Sequence, residues 1–150
     1  MKKILVVCLG NICRSPTAEA VLKAKAASKG ITVEVDSAGI IGYHHGSTPD
    51  SRAMAAGEKR GYCFDGIFSR KVKEQDFAYF DYILAADKQN KQDLLAVCPT
   101  QYKDKISLFL EMGDTDQLEI PDPYYGGEQG FELVLDLLEL ASENILDKIG

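Results

Sequence analysis

Apolar runs and helical periods alternate along the first third of the chain. An apolar run without polar alternation predicts a buried strand at residues 2–8. Apolar positions then recur at helical spacing over residues 15–28, and Gly30 is suited to end that helix. Residues 32–36 alternate between apolar and polar, as in a second strand. A strand, a helix and a strand in succession predict a parallel sheet with a right-handed crossover.

The rest of the chain continues the same alternation. Helices are predicted at residues 50–60, 73–79 and 88–97, and strands at residues 81–86 and 106–110. Polar, glycine-rich or proline-containing loops separate them, the longer ones at residues 37–49 and 111–130. An amphipathic last helix should pack on the core through the stripe Phe131, Val134, Leu135, Leu138, Ala141, Ile145 and Ile149.

These elements predict an α/β fold. It is a single-domain, open, four-stranded parallel sheet with helices on both faces, a Rossmann-like architecture that takes up residues 1–150. In such sheets ligands bind in the crevice at the carboxyl ends of the strands. The predicted first strand ends at Cys8, so Cys8 lies at that crevice.

Composition narrows the classes of function. A net charge of −6 argues against a general nucleic-acid binder. No apolar run is long enough for membrane insertion, and the first residues lack the apolar core of a signal peptide, so we expect a cytoplasmic protein with reduced thiols. The four cysteines lack a paired C-x-x-C arrangement, and no metal site or cofactor is predicted.

Residues 8–15 are candidates for an anion site. They join the first strand to the first helix through a short loop that contains Gly10 and Asn11. Backbone N–H groups of such a loop converge at the helix N-terminus, where the helix dipole favours an anion and also a Cys8 thiolate. Arg14 can hold two oxygens of a phosphate-like group. The pattern predicts a phosphatase, although a strand-end cysteine is often only a small core residue.

A second motif surrounds Asp122. Pro121 and Pro123 restrict its backbone, and Tyr124 and Tyr125 follow. A stiffened loop with one carboxyl group suits a general acid. Taken alone, the motif could equally be a rigid turn with a solvated carboxylate and two surface tyrosines.

The two motifs together provide a complete reaction. Attack of the Cys8 thiolate on phosphorus would form a phosphocysteine, while Asp122 protonates the departing oxygen. The resulting Asp122 carboxylate would then deprotonate the water that hydrolyses the intermediate. The active form therefore requires a charged Cys8 and a neutral Asp122, and no metal ion.

Four segments, in this order, resemble the low-molecular-weight protein tyrosine phosphatase family. They are residues 8–16, 36–39, 80–84 and 122–124. The resemblance covers essentially the whole chain and implies the fold of that family. It also implies a monomeric phosphoric monoester hydrolase without cofactors, which acts on phosphotyrosine-bearing proteins or small aryl phosphates and releases inorganic phosphate.

The resemblance also implies roles for individual residues. Cys8 is the nucleophile, Arg14 clamps the phosphate and Asp122 is the acid. The loop would be held in shape by hydrogen bonds among Asn11, Ser15 and Ser37, with Ser15 also assisting the thiolate. The slot for a phenyl ring would be lined by Leu9, Ile12, Tyr43, Tyr124 and Tyr125, although ordinary packing is an equal alternative for Tyr43 and Tyr125.

The other cysteines have different expected roles. Cys13 would be the partner with which Cys8 forms a reversible, redox-sensitive disulfide in this family, or else a small packing residue. Cys63 and Cys98 are predicted to be packing residues.

One position departs from the family pattern. Many members carry a histidine that supports the phosphate loop, where this chain has Ile67. His44 and His45 lie in another loop, and we expect them to face solvent or to border the cleft.

Three other functions compete with this interpretation. A thioredoxin-coupled arsenate reductase shares the fold and the anion loop, but it needs two further cysteines close together, whereas Cys63 and Cys98 are far apart in the sequence. A phosphocysteine carrier domain needs no positioned acid such as Asp122. An inactive phosphopeptide-binding module would need neither Cys8 nor Asp122.

Overall fold

A computed structural model describes residues 1–123 and 127–150, with the backbone alone at residues 127 and 128. A 3₁₀ helix (Thr100–Lys105) precedes the last strand. The strands are β1 (Lys2–Cys8), β2 (Val33–Gly39), β3 (Tyr82–Ala85) and β4 (Ile106–Leu108). The helices are α1 (Arg14–Lys29), α2 (Ser51–Lys59), α3 (Glu74–Tyr79), α4 (Lys88–Val97), α5 (Phe109–Met112) and α6 (Gly127–Ile149).

The four strands form one sheet in the order β2-β1-β3-β4. All three pairings are parallel, which confirms the predicted fold class. Cys8 lies beside Gly39 of β2, and Val7 lies beside Ala85 of β3. The carboxyl end of the inner strand β1 is therefore flanked by the carboxyl ends of both its neighbours.

Alternate residues of β1 point to opposite faces of the sheet, as the two-residue period of a strand requires. Ile4 and Val6 belong to the cluster that contains α1 and α6. Leu5 and Val7 belong to the cluster that contains α3 and α4. Helices thus cover both faces, and this double burial explains why the apolar run in β1 shows no polar alternation.

The amphipathic stripe of α6 packs as predicted. Six of the seven stripe residues, from Phe131 to Ile145, are buried. Ile149 is partly buried against the cluster that contains α1 and α6. No helix among residues 1–123 and 127–150 is long and apolar enough to cross a membrane.

Several predicted boundaries were wrong. β2 continues to Gly39, beyond the predicted end at residue 36. β4 ends at Leu108, and the predicted strand residues Phe109 and Leu110 begin helix α5. Both side chains are fully buried, and a short buried apolar run does not distinguish a strand from a helix. α6 begins at Gly127, inside the predicted loop.

The prediction for Cys63 was also wrong, because its side chain is exposed. Its neighbours Tyr62 and Phe64 are both buried, so Cys63 points to the opposite side of the chain. Cys98 is buried, as predicted.

Candidate active site

The junction of β1 and α1 forms the base of the site. β1 ends at Cys8 and α1 begins at Arg14, so residues 9–13 make a tight loop. Cys8 Sγ lies 3.0 Å from the hydroxyl oxygen of Ser15, in the first turn of α1. The thiol of Cys8 therefore lies beside the N-terminal end of a helix of 16 residues, where the dipole stabilises negative charge.

Asn11 holds the loop in an unusual conformation. Its φ is 55°, in the left-handed region that asparagine tolerates better than most residues. Its buried amide nitrogen donates to the Ser15 hydroxyl at 2.8 Å and to the Ser37 hydroxyl at 3.0 Å. Its amide oxygen accepts the backbone N–H of Arg70 at 3.0 Å. The structure thus brings Asn11, Ser15 and Ser37 together around one side chain.

Glu19 extends this network on the side of α1, and the sequence analysis missed it. The Ser37 hydroxyl donates to Glu19 Oε1 at 2.6 Å, and Lys23 donates to Glu19 Oε2 at 2.5 Å. Burial raises the pKa of Glu19 despite these two donors. Ser15 and Lys23 lie on the same face of α1, one turn before and one turn after Glu19, so no isolated polar position marked Glu19 in the sequence.

Residues 69 and 70, which we call the strap, support the loop from the other side. The Ser69 hydroxyl donates to the carbonyl of Gly10 at 3.0 Å. The Arg70 guanidinium donates to Asp36 at 3.0 Å and to Asp76 at 2.9 Å. The strap therefore ties the loop to β2 and α3.

Ile67 occupies the position at which many members of the resembling family carry a histidine. It is buried in the apolar cluster that contains Phe64. The only side chain of the strap that reaches the loop backbone is Ser69. On this side, the loop therefore receives its hydrogen bonds from the Ser69 hydroxyl and the Arg70 backbone N–H, and not from residue 67.

Arg14 connects the loop to the end of β3 and to the segment that precedes Asp122. Its Nη1 donates to Asp87 Oδ2 at 2.9 Å, just after β3, and to the carbonyl of Ile120 at 3.2 Å. Burial acts to lower the pKa of Arg14, but the charges of Cys8 and Asp87 outweigh it and raise that pKa. The guanidinium therefore stays charged in a largely buried position. Asp87, which also caps α4, was not predicted.

A pocket of about 170 Å³ opens above the loop. Its lining brings together Cys8, Arg14 and Asp122, the three predicted catalytic residues. Asp122 lies exposed at the rim, whereas Pro123 beside it is buried. The full lining is Cys8, Leu9, Gly10, Ile12, Cys13, Arg14, Ile41, His44, Asp122 and Pro123.

Of the three aromatic residues predicted for the slot, the structure describes Tyr43. Tyr43 is not among the lining residues, and its side chain is 84% exposed. Tyr124 and Tyr125 lie outside the described residues. Ile41 and His44 line the pocket instead, and their loop had given no periodic signal.

Cys13 lines the same pocket as Cys8, and both are free thiols. Burial first, and then the charges of Cys8 and Asp50, raise the pKa of the Cys13 thiol far above its ordinary value. Cys13 is therefore a protonated neighbour of Cys8 at neutral pH.

The arrangement suits a tetrahedral anion. Loop N–H groups, a helix N-terminus and the charged Arg14 surround a space beside Cys8 Sγ, in a protein whose net charge is −6. Within the described part of the chain, no group of three or more histidine, cysteine, aspartate or glutamate side chains could hold a metal ion.

Comparisons with known proteins agree with this geometry. The family described as low molecular weight phosphotyrosine protein phosphatase matches residues 3–150. A low molecular weight protein-tyrosine-phosphatase of Bacillus subtilis is 41% identical over 99% of this chain and 96% of its own length. The human low molecular weight phosphotyrosine protein phosphatase is 40% identical over 89% of this chain and 86% of its own length.

Solved structures show the same relationship in three dimensions. A protein tyrosine phosphatase from Entamoeba histolytica, crystallised as a mimic of its product state, superposes with a TM-score of 0.94. It is 46% identical, and the match covers 99% of this chain and 96% of that one. Fold and sequence therefore agree over nearly the full length, and the chain belongs to the low molecular weight phosphotyrosine protein phosphatase family.

Proposed function

We propose that this protein hydrolyses phosphotyrosine and small aryl phosphates through a phosphocysteine intermediate. The observation that carries the proposal is the pocket in which Cys8, Arg14 and Asp122 meet. Cys8 and Arg14 stand at the two ends of one loop, and Asp122 comes from a distant part of the chain. Each supplies a different function that the reaction needs: a nucleophile, an anion clamp and a proton donor.

In the first step the Cys8 thiolate attacks phosphorus. An S–P bond forms, the bond between phosphorus and the phenolic oxygen breaks, and Asp122 gives its proton to that oxygen. The leaving group departs as a neutral phenol, which avoids the cost of expelling a phenolate whose conjugate acid has a pKa near 10.

In the second step water attacks the phosphocysteine. The Asp122 carboxylate takes a proton from the water, an O–P bond forms and the S–P bond breaks. Inorganic phosphate and the Cys8 thiolate are released, and Asp122 is protonated again, so the cycle needs no outside reagent.

Ser15 assists both steps by hydrogen bonding to sulfur. Its oxygen accepts an N–H from Asn11 and lies 3.0 Å from Cys8 Sγ and 3.5 Å from the Ala38 carbonyl. A thiolate can only accept, so with Cys8 ionised the Ser15 hydroxyl is the donor of the shorter contact. A donor aimed at sulfur stabilises the thiolate as nucleophile in the first step and as leaving group in the second.

The walls of the pocket favour an aromatic phosphate ester. Leu9, Ile12 and Ile41 contribute apolar side chains above the anion site. A flat phenyl ring can contact such walls while its phosphate reaches the loop. All of these residues come from one chain, so we also propose that the enzyme acts as a monomer, which the concentration dependence of its specific activity tests.

The competing functions require chemistry that the described residues do not support. An arsenate reductase would pass a disulfide from Cys8 to further thiols. Cys98 packs in the cluster on the α3 and α4 side of the sheet, whereas Cys8 belongs to the cluster on the other side. A carrier domain or an inactive binding module would make no use of Asp122 in the pocket.

Rapid acid quenching during turnover of p-nitrophenyl phosphate, with a chelator present, tests the proposal. We expect hydrolysis, and a phosphorylated peptide that mass spectrometry assigns to Cys8. Cys8→Ser should abolish both, while Cys98→Ser, the same change in a buried cysteine away from the site, should leave both intact. The absence of turnover by folded wild-type protein would overturn the proposal, and arsenate reduction would then be assayed.

A further inference from the structure

The mouth of the pocket is bordered by a segment that is tied to the nucleophile loop. The N–H of Ile40 donates to the Cys8 carbonyl at 3.0 Å, and the N–H of Ile41 donates to the Leu9 carbonyl at 3.0 Å. Leu9 is 48% exposed and Ile41 is 42% exposed. Tyr43 lies two residues after Ile41 and is more exposed than either Leu9 or Ile41. An exposed apolar edge thus surrounds the entrance.

Basic and N–H-bearing side chains stand on the same edge. The imidazole of His44 lies over the loop, since a methyl group added at Gly10 would approach its Cδ2 to 3.1 Å. The next residue, His45, is exposed. Lys71 runs alongside this segment, because a methyl group added at Gly42 would lie 3.7 Å from both its Cβ and its Cδ.

Strand register fixes how far Lys71 is from the nucleophile. Gly39 pairs with Cys8 on one side and forms a parallel bridge to Lys71 on the other. Two strand spacings place the backbone of Lys71 about 10 Å from that of Cys8. Residues two or three positions from a phosphotyrosine lie about 7–10 Å from it along an extended peptide, so a peptide that crosses the mouth of the pocket is long enough to pass beside Lys71.

The charge on this edge is available to a ligand. Among the side chains of residues 1–123 and 129–150, neither Lys71 nor His45 makes an ion pair with a carboxylate. The carboxylates near the pocket have other tasks. Asp50 caps α2, and Asp122 carries a proton when substrate binds in the proposed reaction. A basic edge is notable in a protein with a net charge of −6.

We infer that this edge binds the polypeptide around the phosphotyrosine, and that Lys71 and His45 select substrates with acidic residues beside it. We call the surface the mouth rim; it consists of Leu9, Ile41, Tyr43, His44, His45 and Lys71. The inference rests on the proposed function, which places the phosphotyrosine in the pocket. The apolar rim residues contact the peptide chain, while the lysine ammonium and the imidazole N–H groups face its carboxylates.

A small aryl phosphate has no neighbouring residues to place beside Lys71 and His45, so it provides an internal reference. We would compare three phosphotyrosine peptides that carry glutamate, glutamine or lysine at the positions two before and two after the phosphotyrosine. The value of kcat/KM for each would be divided by that for p-nitrophenyl phosphate with the same enzyme, at low ionic strength.

Wild-type enzyme should prefer the glutamate peptide to the glutamine peptide by roughly three- to tenfold, since exposed pairs each contribute roughly two- to fivefold. Lys71→Gln should remove most of this preference and His45→Gln a smaller part, with p-nitrophenyl phosphate turnover unchanged. Lys103→Gln is the matched control, since Lys103 is exposed on the 3₁₀ helix that precedes β4, at the opposite end of the sheet. Added salt should reduce the preference of the wild type.

Equal turnover of the glutamate and glutamine peptides would overturn this inference alone, provided that p-nitrophenyl phosphate is still hydrolysed. A preference that survives the Lys71→Gln, His45→Gln double variant would overturn it as well. Failure of wild-type enzyme to hydrolyse p-nitrophenyl phosphate would overturn the proposed function instead, and the mouth rim would lose its basis with it.

Discussion

The nucleophile loop and the acid loop meet in one pocket but are built differently. Asn11 lies in the nucleophile loop, residues 9–13, and Ser15 lies in the first turn of α1; both are buried. Asn11 is hydrogen-bonded to Ser15 of α1, to Ser37 of β2 and to the strap. The acid loop carries Asp122 on the surface. Its backbone is held at Ile120, whose N–H donates to the Ala86 carbonyl at 2.8 Å and whose carbonyl accepts from Arg14 at 3.2 Å.

The difference follows from what each region has to hold. In the proposed reaction the nucleophile loop presents fixed N–H groups to a phosphate of constant shape, so a rigid, buried frame lowers the cost of reorganisation. The proposed acid has to reach the oxygen of leaving groups that differ from one substrate to the next. Substitutions in the first loop should therefore affect stability and activity together, whereas those in the second should affect activity alone.

The largest effect is expected from Asp122→Asn. Loss of the proton donor should lower kcat for phenyl phosphate by about 10²- to 10⁴-fold. The loss should be smaller for p-nitrophenyl phosphate, whose leaving group needs less protonation. Because Asp122 is exposed, the free energy of unfolding in urea should change by less than about 0.5 kcal/mol. An equal loss for both esters would contradict the assignment of Asp122 as the acid.

Asn11→Ala should affect both properties. It removes hydrogen bonds to Ser15, Ser37 and the Arg70 N–H, and it places alanine at a φ of 55°. We expect a loss of about 2–4 kcal/mol in the free energy of unfolding and a fall in kcat of at least tenfold.

Asn11→Gly is the matched control for the backbone. Glycine adopts a positive φ without strain, so this variant should recover about 1 kcal/mol of stability relative to Asn11→Ala. It should not recover kcat, because the amide is still missing. Recovery of kcat in Asn11→Gly would show that backbone conformation, and not the hydrogen bonds, governs the activity of the loop.

Ser69→Ala tests the strap, and we expect smaller changes in stability and kcat than for Asn11→Ala. It removes the hydroxyl that donates to the Gly10 carbonyl, but it keeps the Ser69 backbone N–H, which donates to the carbonyl of Ser47 at 2.8 Å. We expect a loss of about 1 kcal/mol in urea unfolding and a decrease of a few fold in kcat. Ser47→Ala, the same change at an exposed neighbour, should alter neither. Equal effects of the two substitutions would show that the strap hydroxyl does not position the loop.

The smallest effect concerns the pH dependence of stability through Glu19. Burial raises its pKa in the folded state, so the folded protein binds this proton more readily than the unfolded chain. Its contribution to stability is complete below the unfolded pKa of about 4.3 and is lost as the pH rises through the folded pKa.

Glu19→Gln removes this titration and serves as the reference. The free energy of unfolding of the wild type minus that of the variant should therefore decrease between about pH 4 and pH 7, in urea titrations at several pH values. A difference that increases with pH would mean that the Lys23 ion pair at 2.5 Å outweighs burial.

Much of the site was visible in the sequence because it is local. Cys8 and Arg14 belong to one strand, one loop and one helix, and all three are encoded by neighbouring residues. The two prolines beside Asp122 marked the acid loop in the same way. The apolar run of β1 and the stripe of α6 likewise predicted their own burial, since periodicity reports which faces meet the core.

Residues that support the loop from a distance were not visible. Glu19 resembles any glutamate on a helix, and Ser69 and Asp87 resemble loop residues, until the chain folds. His44 borders the cleft, one of the two positions expected for it, but Ile41 was not predicted. Ile41 reaches the pocket because β2 continues to Gly39 and aligns residues 40 and 41 with the nucleophile loop. The predicted end of β2 at residue 36 concealed this alignment.

The sequence by itself determined the order of the elements and the parallel sheet, and it singled out Cys8, Arg14 and Asp122 for the proposed reaction, because propensity, periodicity and short motifs act over a few residues. Only the tertiary structure decided which side chains surround them. The pairing of β1 with β2 places Cys8 beside Gly39, and Gly39 forms a bridge to Lys71 on its other side. Arg14 donates hydrogen bonds to both Asp87 and Ile120. Such contacts depend on how strands pair across the sheet, and no local pattern encodes that pairing.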